Sequence, residues 1–228
     1  MEVGIDEAGR GPVIGPMVIV GIRGDIEPLK EIKVNDSKLI KNKNRESMFN
    51  DILSVIDDYS TKVISPEEID KAVLSPESNL NKLEFQKFYE IIFDLKPKKV
   101  IIDCPLSNTT NFLNKFSYYF EDLLNEKGKV EKNTLTFKNM TIIAENKADE
   151  KFPIVSGASI IAKVIRDREI EKIKERIGFD FGSGYPSDPK TKDFIKKNWN
   201  KYDDIFRKSW STWKRLKVND NQKNLLNY

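Results

Sequence analysis

The chain has 228 residues, enough to bury the core of one domain with an appendage, and its net charge is +3. It contains no histidine and one cysteine, Cys104, which excludes Ser-His-Asp and Cys-His nucleophile systems and the usual zinc sites. A hydrolase of this composition must work with carboxylates and a hard cation, and oxygen-only ligand sets suit magnesium or manganese.

The first element is strand-like, Glu2 to Glu7, and a second strand follows at Met17 to Ile22. The Gly/Pro-rich link between them is too short for a parallel crossover, so it predicts an antiparallel hairpin. Within the stretch Val3 to Pro16, the adjacent acids Asp6 and Glu7 end the strand and run into Gly9, Arg10 and Gly11. An ionised pair is costly to bury unless a cation neutralises it. Glycines let a ligand approach backbone N–H groups, and an arginine can fork onto a phosphate. The same residues also suit a plain polar turn.

Further along, Asn44 to Asp57 has helical apolar spacing, Thr61 to Ile64 reads as a short strand, and Ser65-Pro-Glu-Glu68 reads as a capping-box start. A helix is expected over Asn79 to Leu95, stopping at Pro97. The run Val100 to Ile102 reads as a central strand buried on both faces, ending abruptly in Asp103, at the strand end where open α/β sheets place their ligand sites. A helix over Asn108 to Leu124, a strand over Met140 to Ala144, then Asp149 and a long helix from Pro153 to about Arg176 complete the alternating pattern. Beyond the glycine-rich break Gly178 to Pro186, two basic helices are expected near Lys190 to Trp199 and Ile205 to Lys217, and Val218 to Tyr228 reads as a polar tail.

Lys and Arg outnumber Asp and Glu by sixteen to nine over residues 163–217, so the basic excess lies toward the C-terminal end. Tyr185, Trp199, Tyr202, Phe206, Trp210 and Trp213 are interleaved with these charges. Such a mixture suits a nucleic-acid-facing surface, and equally the buried faces of helices whose lysines are solvated. The N-terminus lacks a signal-peptide pattern and no apolar run is long enough for a membrane helix, so the expectation is a cytoplasmic protein, read as a monomer, without membrane contact.

Asp6, Glu7, Asp103 and Asp149 together form a carboxylate constellation that could hold two divalent ions ~4 Å apart for phosphodiester hydrolysis. Neighbouring strand residues point to opposite faces, so Asp6 and Glu7 can share a site only if the strand ends or bulges at Ala8-Gly9.

The chain resembles ribonuclease HII, the type 2 ribonuclease H family, and especially its archaeal members. The resemblance rests on GIDEAGRGPVIGP, on NDSKLIKNKNRE at Asn35 to Glu46, on VIIDCP, on KADEKFPIVSGASIIAKVIRD at Lys147 to Asp167, and on GSGYPSDPKT at Gly182 to Thr191. It implies an α/β, ribonuclease H-like fold: a mixed five-stranded sheet flanked by helices, with a helical C-terminal extension. The expected division is a catalytic domain over residues 1–177, a basic helical extension over 178–217 and a tail over 218–228. The resemblance further implies that Asp6, Glu7, Asp103 and Asp149 are metal-binding catalytic acids using Mg2+ or Mn2+. Gly9, Arg10 and Gly11 would read the ribose 2′-OH, Lys38 would contact phosphate, and Tyr185 would pack on the sugar of the following deoxynucleotide. The implied activity is endonucleolytic: hydrolysis of the RNA strand of RNA–DNA hybrids and incision 5′ of ribonucleotides in duplex DNA, with 3′-hydroxyl and 5′-phosphate products. The alternatives are a ribonuclease HIII-like nuclease and a noncatalytic nucleic-acid-binding protein on the same fold, which would lack some of the acids. Gly157 departs from the alanine expected in the family's small-residue run. In the tail, Gln222, Leu225 and Tyr228 are similar to the peptide by which replication enzymes bind the sliding clamp.

Overall fold

The computed structural model describes residues 1–32, 34 and 42–217, with the backbone alone for 42–44. Strands β1 (Glu2–Ala8) and β2 (Met17–Gly24) pair antiparallel in unbroken register from Glu2↔Gly24 to Ala8↔Val18. Helices α1 (Ile26–Glu31) and α2 (Asn42–Val55), strand β3 (Asp58–Ile64) and helix α3 (Pro66–Leu74) follow. The expected cap is present, the Ser65 hydroxyl accepting the Glu68 N–H at 3.1 Å. Helix α4 (Leu80–Leu95) ends at Lys96, whose φ of 47° turns the chain out of the helix before Pro97.

Strand β4 (Lys99–Asp103) lies parallel to β1, from Glu2↔Lys99 to Ile5↔Ile102, and parallel to β7 (Thr141–Glu145) on its other side. Helix α5 (Thr109–Leu124) is capped by Asn108, which accepts from Asn111 N at 2.8 Å, and ends in a left-handed Asn125. The short helix α6 (Ala148–Lys151), the long α7 (Pro153–Ile177) and α8 (Pro189–Asn198) complete the elements, and residues 211–217 are helical. Among the described residues no helix is long and apolar enough to cross a membrane.

Two expectations are corrected. The sheet has seven strands among the described residues, in the order β3-β2-β1-β4-β7-β6-β5, because β5 (Lys129–Glu131) and β6 (Thr134–Thr136) extend the mixed sheet as a hairpin. At three residues each they are too short for alternation to register in the sequence. The expected helix over Ile205 to Lys217 begins only at residue 211. Its first part is recruited instead by main-chain bonds, Gly15 N to Ile205 O and Arg207 N to Val13 O, each 2.9 Å, around an Ile14↔Phe206 bridge. Backbone groups used this way cannot close helical turns.

The chain forms two compact units. The first comprises Met1–Ala8, Val18–Lys62 and Glu84–Val164. Its core includes Val3 and Ile5 of β1, Val100 to Ile102 of β4, and Ile154, Val155, Ala158 and Ile161 of α7, all buried. Phe85, Phe88, Phe112, Phe116 and Phe120 form an aromatic cluster between α4 and α5, with ring centroids 4.6–6.3 Å apart. Gly4 sets how closely β1 meets α7: a Cβ there would lie 2.5 Å from the Ile154 carbonyl carbon and oxygen. The second unit comprises Gly9–Met17, Val63–Leu83 and the chain from Ile165. Its core gathers Val13, Ile14, Ile170, Phe181, Phe194, Ile195, Ile205, Phe206 and Trp213, with Trp199, Tyr202 and Trp210 partly buried against it. Most of the aromatics among the basic residues are therefore core, and Tyr185, at 38% exposure, stands apart.

Candidate active site

All four acids lie in the first unit, Asp6 and Glu7 near the C-terminal end of β1, Asp103 at that of β4, and Asp149 in the short helix that follows β7. Asp6 is two residues beyond Gly4 on β1, on the face that α7 covers. It is 5% exposed, accepts the Glu7 N–H at 2.7 Å and receives the Ser159 hydroxyl. Ser159 in turn accepts from Lys163 Nζ at 2.8 Å, one helical turn along α7. Burial, and then the charge of Asp103, push the Asp6 carboxyl up to about 7, against the opposing effects of Ser159, the Glu7 N–H and Lys163.

Asp103 closes β4 and accepts the Ala148 N–H of α6 at 2.8 Å. Its carboxyl is raised by burial and by Asp149, and lowered by the Ala148 N–H and Lys163. Asp149 stands in the first turn of α6. Glu7 belongs to the same neighbourhood, since Asp103 and Glu7 both help burial hold the Cys104 thiol up, at about 11. At that value Cys104 is an inert, buried thiol. The four acids are thus linked as electrostatic neighbours: Asp6 with Asp103, Asp103 with Asp149, and Glu7 with the residue after Asp103.

Of the two expected alternatives, an end or a bulge at Ala8-Gly9, the strand ends, at Ala8. β1 carries no bulge, its pairing with β2 running regularly through Glu7↔Ile19 and Ala8↔Val18. It is the ladder with β4 that stops, at Ile5↔Ile102, leaving Asp6 and Glu7 past the paired edge. Among the described residues, no three acids are already gathered as ligands around one point. The donor set nevertheless fits a hard divalent cation. It is all oxygen, and the burial and like charge that raise Asp6 (beside Asp103) and Asp103 (beside Asp149) are what an added positive charge would relieve.

The second unit contains Gly9, Arg10, Gly11 and Tyr185. Gly9 has φ +81° and Gly11 lies against Tyr185, a Cβ on Gly11 standing 3.6 Å from Tyr185 Cε1. Arg10 Nη2 donates to Asn81 Oδ1 at 2.9 Å. Tyr185 is presented by a turn built from its own motif. Asp188 accepts from Ser183 N at 2.7 Å and Ser183 Oγ at 2.8 Å, and Thr191 Oγ1 accepts from Gly184 N at 3.0 Å. The Arg166 guanidinium lies 5.2 Å from the centre of the Tyr185 ring and donates to Ser183 O at 3.0 Å. Lys38, Gln222, Leu225 and Tyr228 fall outside the described residues.

The structure adds residues that the sequence reading did not single out: Ser159 and Lys163 beside Asp6, and Arg166 and Arg207 beside the Gly9 to Gly11 loop. Ser159 and Lys163 had a signal in their i,i+4 spacing on a helix that follows Asp149 directly. The arginines had none beyond their place in a basic stretch.

A family model described as Ribonuclease HII matches residues 3–213. A ribonuclease HII from Pyrococcus furiosus is 43% identical over 219 residues, covering 93% of this chain and 89% of the relative. Among solved structures, the ribonuclease H2 from Pyrococcus horikoshii is similar with a TM-score of 0.77 and 39% identity, over 96% of this chain and 97% of that one. The ribonuclease HII of a PCNA:RNase HII complex from Archaeoglobus fulgidus gives a TM-score of 0.76 at 36% identity, over 94% of each chain.

Proposed function

Because this chain belongs to the ribonuclease HII family and is a ribonuclease H endonuclease, we propose that it hydrolyses the RNA strand of RNA–DNA hybrids and incises duplex DNA 5′ of an embedded ribonucleotide. The observation that carries this reading is the electrostatic linkage of Asp6, Asp103 and Asp149, with Asp6 held up to about 7 by burial and like charge. Asp6, Glu7, Asp103 and Asp149 would hold Mg2+ or Mn2+, which when bound supplies Lewis acidity and water activation for phosphodiester hydrolysis, leaving 3′-hydroxyl and 5′-phosphate ends.

The chain's own groups orient these acids. The Glu7 N–H and Ser159 fix Asp6, the Ala148 N–H fixes Asp103, and Lys163 supplies a compensating positive charge. The backbone from Gly9 to Gly11 would meet the ribose 2′-OH, since at a given position only that hydroxyl or the shape it imposes tells RNA from DNA. Arg10 and Lys38 would meet phosphate. The half-exposed ring of Tyr185 would pack on the next deoxyribose. The test is a labelled duplex with one ribonucleotide, incubated with Mg2+, Mn2+ or chelator. The expected result is one ion-dependent cut on the 5′ side of the ribonucleotide. Full activity in chelator, or equal cutting of an all-DNA duplex, overturns the reading.

The Archaeoglobus fulgidus relative is described in complex with PCNA, and the tail of this chain carries Gln222, Leu225 and Tyr228 at the spacing of a clamp-binding peptide. A peptide of Val218 to Tyr228 is expected to bind the cognate sliding clamp and to lose binding with Tyr228→Ala. An unaffected variant rejects these residues as the contact.

A further inference from the structure

Arg207 is the largest of the fully buried side chains, at 0% exposure. Its three guanidinium nitrogens donate to three main-chain carbonyls of one loop: Nη2 to Gly9 O at 2.6 Å, Nη1 to Arg10 O at 2.9 Å and Nε to Gly15 O at 3.0 Å. The Arg207 N–H takes the Val13 carbonyl at 2.9 Å. Trp210, whose ring lies 5.0 Å from the guanidinium carbon, donates from Nε1 to Gly11 O at 3.1 Å. Five carbonyls between Gly9 and Gly15 are thus claimed by two side chains and one N–H. The acid that raises the Arg207 pKa, Asp70, accepts from Lys208 N, Ser209 N and Ser209 Oγ. Burial and the neighbouring Arg166 charge both act to lower that pKa.

A cation desolvated against carbonyls alone is a costly fastening, and neutral donors could have served a loop that needed only to be fixed. The peptide geometry shows what the charge adds. In a trans peptide the C=O and N–H of one unit point in opposite directions. The Gly9 carbonyl belongs to the unit carrying the Arg10 N–H, and the Arg10 carbonyl to the unit carrying the Gly11 N–H. With both carbonyls drawn onto Arg207, both N–H groups are aimed away from it. A positive charge on the carbonyl end of a peptide also polarises the unit and strengthens its N–H as a donor. Arginine suits this task because its planar fork carries several divergent donors, where lysine offers a single point charge.

We propose that Arg207 is a positioning residue for substrate recognition, setting the direction and donor strength of the Arg10 and Gly11 N–H groups toward the ribonucleotide. This rests on the reading that the Gly9 to Gly11 backbone meets the ribose. Arg166 is a second arginine beside the same loop. It lies so close to Gly9 that a Cβ there would stand 2.3 Å from Arg166 Nε, and its guanidinium backs the Tyr185 ring. Arg207→Gln removes the charge and most of the fork. Arg207→Lys keeps the charge with one point of attachment.

The full-length wild type and both variants are compared for kcat and KM on a duplex with one ribonucleotide, for divalent-ion affinity by calorimetry, and for cooperative unfolding in urea. Charge-assisted bonds of this kind lead us to expect a loss in kcat/KM of about 10- to 100-fold for Arg207→Gln, mainly in KM, with Arg207→Lys intermediate. Ion affinity should stay within about twofold, since the acids are held by other groups. Wild-type kinetics in either folded variant overturns the inference, as does a lysine variant no better than glutamine. A parallel fall in ion affinity in Arg207→Lys also overturns it, because that outcome marks a general structural role. If Arg207→Gln does not fold, Arg207→Lys alone decides between these outcomes. A wild type that shows no ribonucleotide-dependent cleavage refutes the underlying reading instead, and does so before any variant is compared.

Discussion

Replacing Asp6 with asparagine should make the metal-free protein more stable above neutral pH, although it should remove the activity. The carboxyl is 5% exposed and is raised from 3.8 to about 7 by burial and by Asp103. Between those values the native state binds a proton that the unfolded chain has released, so stability falls as pH rises through that window. A displacement of about three units at 1.36 kcal/mol each sets a ceiling of about 4 kcal/mol, fully felt only above the native value. Asparagine retains an oxygen for the Glu7 N–H and the Ser159 hydroxyl and carries no charge to repel Asp103. In chelator at pH 8, Asp6→Asn should therefore gain on the order of 2–4 kcal/mol, or roughly 5–10 °C in Tm for a chain of this size. The gap should narrow as pH falls from 7 and close only below about 3.8, where the wild-type carboxyl is protonated in the unfolded chain as well as in the native state. Adding Mg2+ or Mn2+ at pH 8 should stabilise the wild type more than the variant, by mass action on a site that only the native state possesses. Thermal unfolding followed by circular dichroism from below the unfolded value of 3.8 up to pH values well above 7, with and without the ion, measures all of this. Parallel curves for the two proteins in chelator would refute the reasoning, since they would mean that Asp6 is not a strained charge.

Gly4→Ala should cost more than about 3 kcal/mol, because its Cβ would stand 2.5 Å from backbone atoms of Ile154 that no rotamer change can move; near wild-type urea stability would show that β1 and α7 separate easily. Asp103→Asn should lower cleavage at least ~100-fold while preserving cooperative unfolding, since its oxygen can still accept the Ala148 N–H. Tyr185→Ala should weaken cleavage at a single ribonucleotide by about tenfold and cleavage of a continuous hybrid by less, because the ring is 38% exposed and free to meet a sugar. Equal losses on the two substrates would mark it as a structural residue of the Ser183 to Asp188 turn.

The elements that the sequence made legible share a physical cause. β4 announced itself because Val100 to Ile102 are buried on both faces and Asp103 is chemically out of place at their end. Helices α3 and α5 start where Ser65 and Asn108 can cap them. The hairpin of β1 and β2 followed from the shortness of its link. The strands β5 and β6 left no such mark, being three residues long with Leu135 alone among their residues buried. The helix expected from Ile205 failed because apolar spacing cannot reveal that Ile205 and Arg207 bond to Val13 and Gly15, nearly two hundred residues earlier in the chain. Gly157 stood out in the sequence as a missing alanine; a Cβ there would come within 3 Å only of the tip of the Ile22 side chain, Cδ1 at 2.7 Å, which a small side-chain shift relieves.

The candidate site divides along the same line. Asp6, Glu7, Asp103 and Asp149 were readable because clustered carboxylates need a countercharge, and the chain offers no histidine or thiol cluster as an alternative. Arg166 and Arg207 were not readable, although both are buried against the loop that carries Gly9. A buried arginine normally betrays itself by a matching acid; Arg166 has Asp167 at 4.0 Å besides the Ser183 carbonyl, whereas the guanidinium of Arg207 bonds to the carbonyls of Gly9, Arg10 and Gly15. Every residue has a carbonyl, so such an interaction leaves no complementary letter in the sequence. It becomes visible only when the fold shows that one side chain has drawn several carbonyls of a single loop to the same side, and the N–H groups of that loop to the other.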